Sequence, residues 1–94
     1  MSTWTELVGD LTRIGVTDDV AAQLGDIVHF EPPELGARLQ QGHSFGELES
    51  VKAVVDVLSP VSGEVVEVNE SVVASPESIT DAPRSAWLIA VRAD

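Results

Sequence analysis

The chain contains one lysine, Lys52, and this residue is the strongest candidate for chemistry in the sequence. The other basic side chains are the guanidinium groups of Arg13, Arg38, Arg84 and Arg92. A guanidinium stays protonated, whereas an amine can lose its proton and attack an activated carboxylate. The sequence therefore offers an acylating enzyme a single side-chain acceptor, the ε-amine of Lys52.

Other kinds of reactive site find little support in the sequence. Because there is no cysteine, the chain has no disulfide, thiolate metal site or cysteine nucleophile. The two histidines, His29 and His43, have no partner at metal-ligand spacing, and we expect both on the surface. We therefore predict a non-catalytic protein with no catalytic residues and no metal site, whose redox chemistry, if any, comes from an attached cofactor.

Length, composition and charge narrow the class of protein. Ninety-four residues, 44% of them hydrophobic, predict one domain spanning residues 1–94. A net charge of −11 opposes binding to nucleic acid or anionic lipid, and it either favours basic protein partners or serves solubility alone. No apolar run approaches the ~20 residues of a membrane span, and the N-terminus lacks the basic start and apolar stretch of a signal peptide. We expect a soluble, cytoplasmic protein that binds neither nucleic acid nor membrane.

Short valine-rich stretches broken by Gly, Pro, Ser or Asp predict an all-β fold with one short helix. A turn at Gly9-Asp10 is expected to join strands at 3–8 and 11–16 into a hairpin. Thr17 is expected to cap a helix at 18–24, which Gly25 ends. Trp4 and Trp87 are expected in core or hairpin packing. Further strands are predicted at residues 26–31, 38–40, 44–51, 53–58, 63–69 and 87–92.

The middle of the chain is similar in pattern to its later half. Residues 25–30 match 63–68, and residues 39–45 lie over 73–79, so that each copy is predicted as strand, loop, turn and strand. Two half-motifs with one open apolar face each can bury those faces together in a flattened barrel or sandwich, although valine-rich strands also resemble one another by chance. Lys52 lies between the copies, and because one predicted strand runs in to Val51 and the next runs out from Ala53, we expect it at a hairpin tip.

Lys52 is surrounded by two characteristic segments, residues 49–54 (ESVKAV) and 59–70 (SPVSGEVVEVNE). Together they resemble the lipoylation segment of glycine cleavage H proteins. Related biotin sites place methionine on both sides of the lysine, and lipoyl domains of 2-oxoacid dehydrogenases typically show Asp-Lys-Ala, whereas here Val51 and Ala53 flank it. The similarity covers nearly all of the chain, through residues 14–18 (IGVTD), 24–28 (LGDIV), 35–36 (LG), 44–46 (SFG), 75–77 (SPE) and 87–89 (WLI).

The resemblance implies a barrel-sandwich hybrid fold and lipoate in amide linkage to Lys52, with Glu49 read by the lipoate-attaching enzyme. It implies a carrier that takes the aminomethyl group of glycine from a pyridoxal-phosphate glycine decarboxylase to a tetrahydrofolate-dependent aminomethyltransferase. Dihydrolipoamide dehydrogenase then reoxidises the arm. The family has a cleft that shields the loaded arm from water, and we expect it near the N-terminal hairpin and Asp56.

Two other functions stay open on the same sequence. One is an H-like lipoyl protein that serves lipoate relay or sulfur oxidation, and the other is an unmodified binding module with the same fold. Residues 81–87 lack the Tyr-Gly and second Gly that usually precede the tryptophan, the strand before Trp4 is short, and the chain ends at Asp94, where the family usually continues into a helical segment. We expect these differences to affect the docking of partners.

Overall fold

The computed structural model describes residues 3–94 and is built mainly of β-strands. The strands are β1 (Thr3–Val8), β2 (Leu11–Val16), β3 (Ile27–Glu31), β4 (Arg38–Leu39), β5 (Ser44–Ser50), β6 (Val54–Leu58), β7 (Gly63–Val68) and β8 (Ile89–Ala93). The helices are α1 (Asp18–Leu24), α2 (Glu70–Ala74) and α3 (Glu77–Asp81). Five strands form one antiparallel sheet in the order β1-β2-β8-β7-β4, and β3-β5-β6 form a second. The predicted all-β class is confirmed.

The N-terminal hairpin has the predicted strands and turn. β1 and β2 pair without a register shift from Thr3 opposite Val16 to Val8 opposite Leu11. Gly9 lies at φ 62°, the left-handed region that glycine enters without a steric penalty. The apolar positions of β2 then enter the core, whereas most of β1 is exposed.

The helix predicted at 18–24 is present, but its cap differs from the prediction. Gly25 ends it at φ 72°, with its N–H donating to the carbonyl of Ala21 over 3.0 Å. Thr17 occupies the N-cap position, yet its side chain makes no capping hydrogen bond. The carboxylates of Asp18 and Asp19 in the first turn instead interact favourably with the helix dipole.

The prediction of a single helix is wrong, because α2 and α3 follow β7. Each has five residues, which is too short to show a helical period in the sequence. Val72 and Ile79 reach the core from these helices, so their apolar character resembled that of a strand. The proposed match of residues 39–45 with 73–79 is therefore wrong, because residues 73–79 belong mainly to helices and not to a strand. In the other match, of residues 25–30 with 63–68, the predicted strands are confirmed as β3 and β7.

The core lies between the two sheets and is closed by the helices. β3 contributes Ile27 and Phe30, and β7 contributes Val65 from the opposite sheet. Side chains from both sheets therefore share one buried cluster, as expected for a sandwich. The buried cluster comprises Ile14, Val16, Leu24, Ile27, Phe30, Leu39, Phe45, Leu48, Val57, Val65, Val72, Ile79, Ala86, Leu88, Ile89 and Val91.

Both tryptophans pack against neighbouring elements, as predicted. The Trp4 indole covers Gly15, and its Nε1–H donates to the carbonyl of Pro83 over 3.0 Å. The Arg13 guanidinium lies 4.5 Å from the centroid of the Trp87 ring, a cation–π arrangement. The loop before β8 is thereby held against the N-terminal hairpin. Within residues 3–94, no helix has the length and apolar character to cross a membrane.

Candidate functional site

Lys52 lies at the tip of the β5–β6 hairpin, as the sequence predicted. The last paired residues of the ladder are Glu49 and Val54, and the Ser50 N–H donates to the Ala53 carbonyl over 2.8 Å to close the loop. The Lys52 side chain is exposed. In the described part of the chain, no hydrogen bond or ion pair engages its ε-ammonium group. The amine is therefore accessible to an enzyme that approaches the tip.

Ser50 fixes the backbone of this tip and was not singled out in the sequence. Its side chain points to the core side of β5, where it is 5% exposed. The Ser50 Oγ accepts hydrogen bonds from the backbone N–H of Lys52 at 3.3 Å and of Ala53 at 3.1 Å. Its signal in the sequence is a polar residue at an inward position, two residues after the buried Leu48.

The outer surface of the β3-β5-β6 sheet is acidic. Glu31 lies opposite Glu47, which lies opposite Asp56, and Glu49 occupies the neighbouring row between His29 and Val54. All of these side chains are exposed. We call Glu31, Glu47, Glu49 and Asp56 the acidic face. Like charges directly opposite each other destabilise a sheet, so a cationic surface docked here would relieve that repulsion.

Exposed apolar side chains flank the acceptor lysine. Val51 is 75% exposed and Val54 is 58% exposed, on either side of Lys52. Val28, which lies in the bulge of β3, is 50% exposed on the adjacent strand. The hairpin tip therefore offers a partner both apolar contact and the neighbouring negative charge of the acidic face.

A groove of about 180 Å³ lies between α1 and β6 and reaches Asp56. Its lining consists of Val20, Gln23, Leu24, Val55 and Asp56. The Asp56 carboxylate accepts a hydrogen bond from the Ser44 hydroxyl over 3.3 Å. Among the described residues, the N-terminal hairpin does not line this groove. The α1 residues were not predicted there, because only the packing of the helix against β6 brings them to Asp56.

The N-terminal hairpin contributes to a separate cavity of about 450 Å³. It is lined by Trp4, Thr17, Asp18, Asp19 and Arg84. The Arg84 Nε donates to Asp18 across it over 2.9 Å, an exposed ion pair of little energetic weight. The N-terminal hairpin and Asp56, which were expected to line one cleft, therefore line two separate cavities. Of these two, only the groove at Asp56 adjoins β6, the strand that follows Lys52.

The remaining candidate ligands do not form a site of their own. His29 and His43 are exposed, as predicted, and His29 contacts Glu31 at 3.3 Å. In residues 3–94, no group of His, Asp or Glu side chains is arranged to hold a metal ion. The site thus consists of one presented amine, an acidic face and a groove. A β-sandwich that holds its single lysine in this way has the form of a carrier domain, the barrel-sandwich hybrid.

Comparisons with known proteins agree with this class. The glycine cleavage H-protein family model matches residues 1–94. The chain is 49% identical over 90 residues to the glycine cleavage system H protein of Rubrobacter xylanophilus, covering 95% of this chain and 71% of that protein. For the H protein of Synechococcus sp. (strain CC9902), the identity is 50% over 90 residues, with 95% and 70% covered.

A solved structure has the same fold over almost the whole chain. It is a crystal structure of a glycine cleavage system H protein from Mycobacterium marinum, with a TM-score of 0.92 at 36% identity, covering 98% of this chain and 78% of that one. The chain belongs to the glycine cleavage H-protein family. Members of this family are lipoate-bearing carrier subunits rather than enzymes.

Proposed function

We propose that Lys52 carries lipoate in amide linkage and that the chain transports the aminomethyl group of glycine. The donor is a pyridoxal-phosphate glycine decarboxylase, and the acceptor enzyme is a tetrahydrofolate-dependent aminomethyltransferase. One observation carries the proposal: the only lysine of a chain in this family is exposed at the tip of a closed hairpin. No other side chain of the protein offers an amine for acylation.

The hairpin suits the attachment reaction. The neutral ε-amine of Lys52 attacks the activated carboxyl carbon of lipoate, the activating group leaves, and the new amide nitrogen loses a proton. Glu49 lies three residues before the acceptor on the acidic face, where the attaching enzyme reads it as a negative charge at a fixed position. Once bound, the lipoyl group supplies a disulfide that accepts the aminomethyl group and a dithiol that dihydrolipoamide dehydrogenase reoxidises.

The groove beside Asp56 is placed to shelter the end of the arm. Asp56 lies on β6, four residues after Lys52, and even a fully extended chain spans at most about 14 Å over that interval, a length comparable to that of a lipoylated lysine side chain. Val20, Leu24 and Val55 give the groove apolar walls that exclude water from a group prone to hydrolysis. The Asp56 carboxylate attracts a cationic amine at the end of the arm.

The acidic face supports docking on basic partner surfaces. A charge of −11 steers the carrier toward cationic enzymes and away from nucleic acid, whose phosphates repel it. The exposed valines beside Lys52 add apolar contact close to the entrance of a partner's active site. The proposed cycle runs in the cytoplasm, whose reducing conditions are compatible with a carrier that has no cysteine.

Transfer of label from glycine tests this function. The lipoylated chain is mixed with purified decarboxylase and labelled glycine, and we expect label on the wild-type protein and none on Lys52→Arg. Adding aminomethyltransferase and tetrahydrofolate should then remove the label. A fully lipoylated chain that acquires no label would refute glycine transport and favour lipoate relay or sulfur oxidation. A chain without lipoate after lipoate-replete growth would favour an unmodified binding module.

A further inference from the structure

At the tip of the hairpin that bears Lys52, a side-chain oxygen accepts a hydrogen bond that a backbone carbonyl ordinarily accepts. In a hydrogen-bonded β-turn, the N–H of the fourth residue donates to the carbonyl of the first. Here the Ala53 N–H donates to the Ser50 Oγ at 3.1 Å, and the Lys52 N–H donates to the same oxygen at 3.3 Å. One hydroxyl therefore accepts from two successive amides of the tip.

Every backbone amide of the tip has a partner. The Ser50 N–H donates to the Ala53 carbonyl at 2.8 Å, and the Val51 N–H donates to the Asp26 carbonyl at 3.3 Å. The Ser50 Oγ accepts from the other two amides, those of Lys52 and Ala53. The same hydroxyl donates to the Ala53 carbonyl, with 3.3 Å between the two oxygens. Because Ser50 is only 5% exposed, water does not compete freely for this hydroxyl. The backbone that bears Lys52 is thus held in one conformation from the inside of the sheet.

We propose that Ser50 is a positioning residue for the acylation of Lys52. Its buried hydroxyl fixes the Lys52 backbone, and thereby the direction from which the ε-amine enters the active site of the attaching enzyme. The inference rests on the proposed function, since it requires that Lys52 is the lipoate acceptor. A preorganised nucleophile lowers the entropic cost of reaching the attacking geometry, whereas a loosened tip must be ordered again in each encounter.

Removal of the hydroxyl should slow the chemical step more than it weakens docking. In Ser50→Ala, the amides of Lys52 and Ala53 lose their protein acceptor, so the backbone of the tip is no longer held in one conformation. The acidic face and the exposed valines stay in place, so binding to the attaching enzyme is retained. We expect kcat for lipoylation to fall about tenfold, with KM within about twofold of wild type.

The chain offers a matched control at the other end of β6. Ser59 is 1% exposed, donates through its Oγ to the Val61 carbonyl at 2.6 Å and accepts from the Val61 N–H at 3.4 Å. Ser59→Ala therefore removes a buried hydroxyl with the same kind of local hydrogen bonds, but away from Lys52. A loss that merely reflects weaker folding would appear in both variants.

The test measures lipoylation of wild type, Ser50→Ala, Ser59→Ala and Ser50→Thr by a purified lipoate-attaching enzyme, well below their unfolding temperatures. We expect the kcat loss in Ser50→Ala alone, near-wild-type rates for Ser50→Thr, and faster amide hydrogen exchange at Lys52 and Ala53 in Ser50→Ala. Equal rates in both alanine variants, or a Ser50→Thr rate as low as that of Ser50→Ala, would overturn the inference. Failure of wild type to be lipoylated would instead refute the proposed function.

Discussion

Replacing Gly63 with alanine should be among the most destabilising single-methyl changes in this domain. Gly63 opens β7 and pairs with Leu39 on one side and Ala93 on the other. An added Cβ would lie 2.3 Å from the Arg92 carbonyl oxygen and 2.8 Å from the Ala93 Cα, against the 3.4–4 Å of ordinary contact. Both are backbone atoms of a paired strand, so relief requires β8 to move away from β7.

The expected size follows from this forced movement. Overpacking a well-packed interior costs about 1–3 kcal/mol, and we place Gly63→Ala at the upper end, about 3 kcal/mol, because the backbone itself must shift. For a domain of this length each kcal/mol lowers the unfolding temperature by roughly 4–8 °C, which gives a fall of roughly 12–24 °C. Urea unfolding and thermal unfolding, both followed by tryptophan fluorescence, measure the two quantities independently.

Gly42→Ala is the control for this prediction. Gly42 lies at φ 86° with no atom within 4 Å of an added Cβ, so alanine there meets only the left-handed backbone penalty of about 1–2 kcal/mol. Gly63→Ala should be clearly less stable than Gly42→Ala. Equal stability of the two variants, or a Gly63→Ala protein within about 0.5 kcal/mol of wild type, would refute the packing described for β7 and β8.

Three further predictions concern the site. With lipoylation followed by intact mass, Glu49→Gln should reduce kcat/KM about tenfold by loss of a recognised charge, while Glu64→Gln on the other sheet should change it little. Equal effects of the two substitutions would contradict a specific role for Glu49. Asp56→Asn should speed the hydrolysis of the loaded arm about threefold, seen as formaldehyde release, and an unchanged rate would remove Asp56 from the shelter. Raising ionic strength should raise the KM of the decarboxylase for the carrier, and a salt-independent KM would contradict docking through the acidic face.

The parts of the fold that the sequence predicted are those with strong local signals. The N-terminal hairpin follows from alternating residues around Gly9, and the end of α1 follows from Gly25. Pro32 stops β3 after Glu31 because proline cannot donate to a strand ladder. The position of Lys52 at a hairpin tip could be predicted because the sequence indicates one strand directly before it and another directly after it, and these two strands pair antiparallel.

The parts that the sequence did not predict depend on tertiary structure. α2 and α3 are single helical turns whose apolar residues, Val72 and Ile79, carry no readable period. The groove at Asp56 exists only because α1 packs beside β6. The hydrogen bonds of the Ser50 hydroxyl could not be assigned from its residue type, because a serine hydroxyl can bond to its own backbone, to neighbouring backbone groups or to water.

The central claim is that this chain bears its cofactor on Lys52, and the intact mass of the protein purified from its native source after growth with lipoate tests it most directly. We expect the wild-type chain to gain the mass of one lipoyl group and the Lys52→Arg chain to gain none. Proteolytic fragments should place the modification on the peptide that contains residue 52. A wild-type chain without the added mass, or a Lys52→Arg chain that keeps it, would contradict the account.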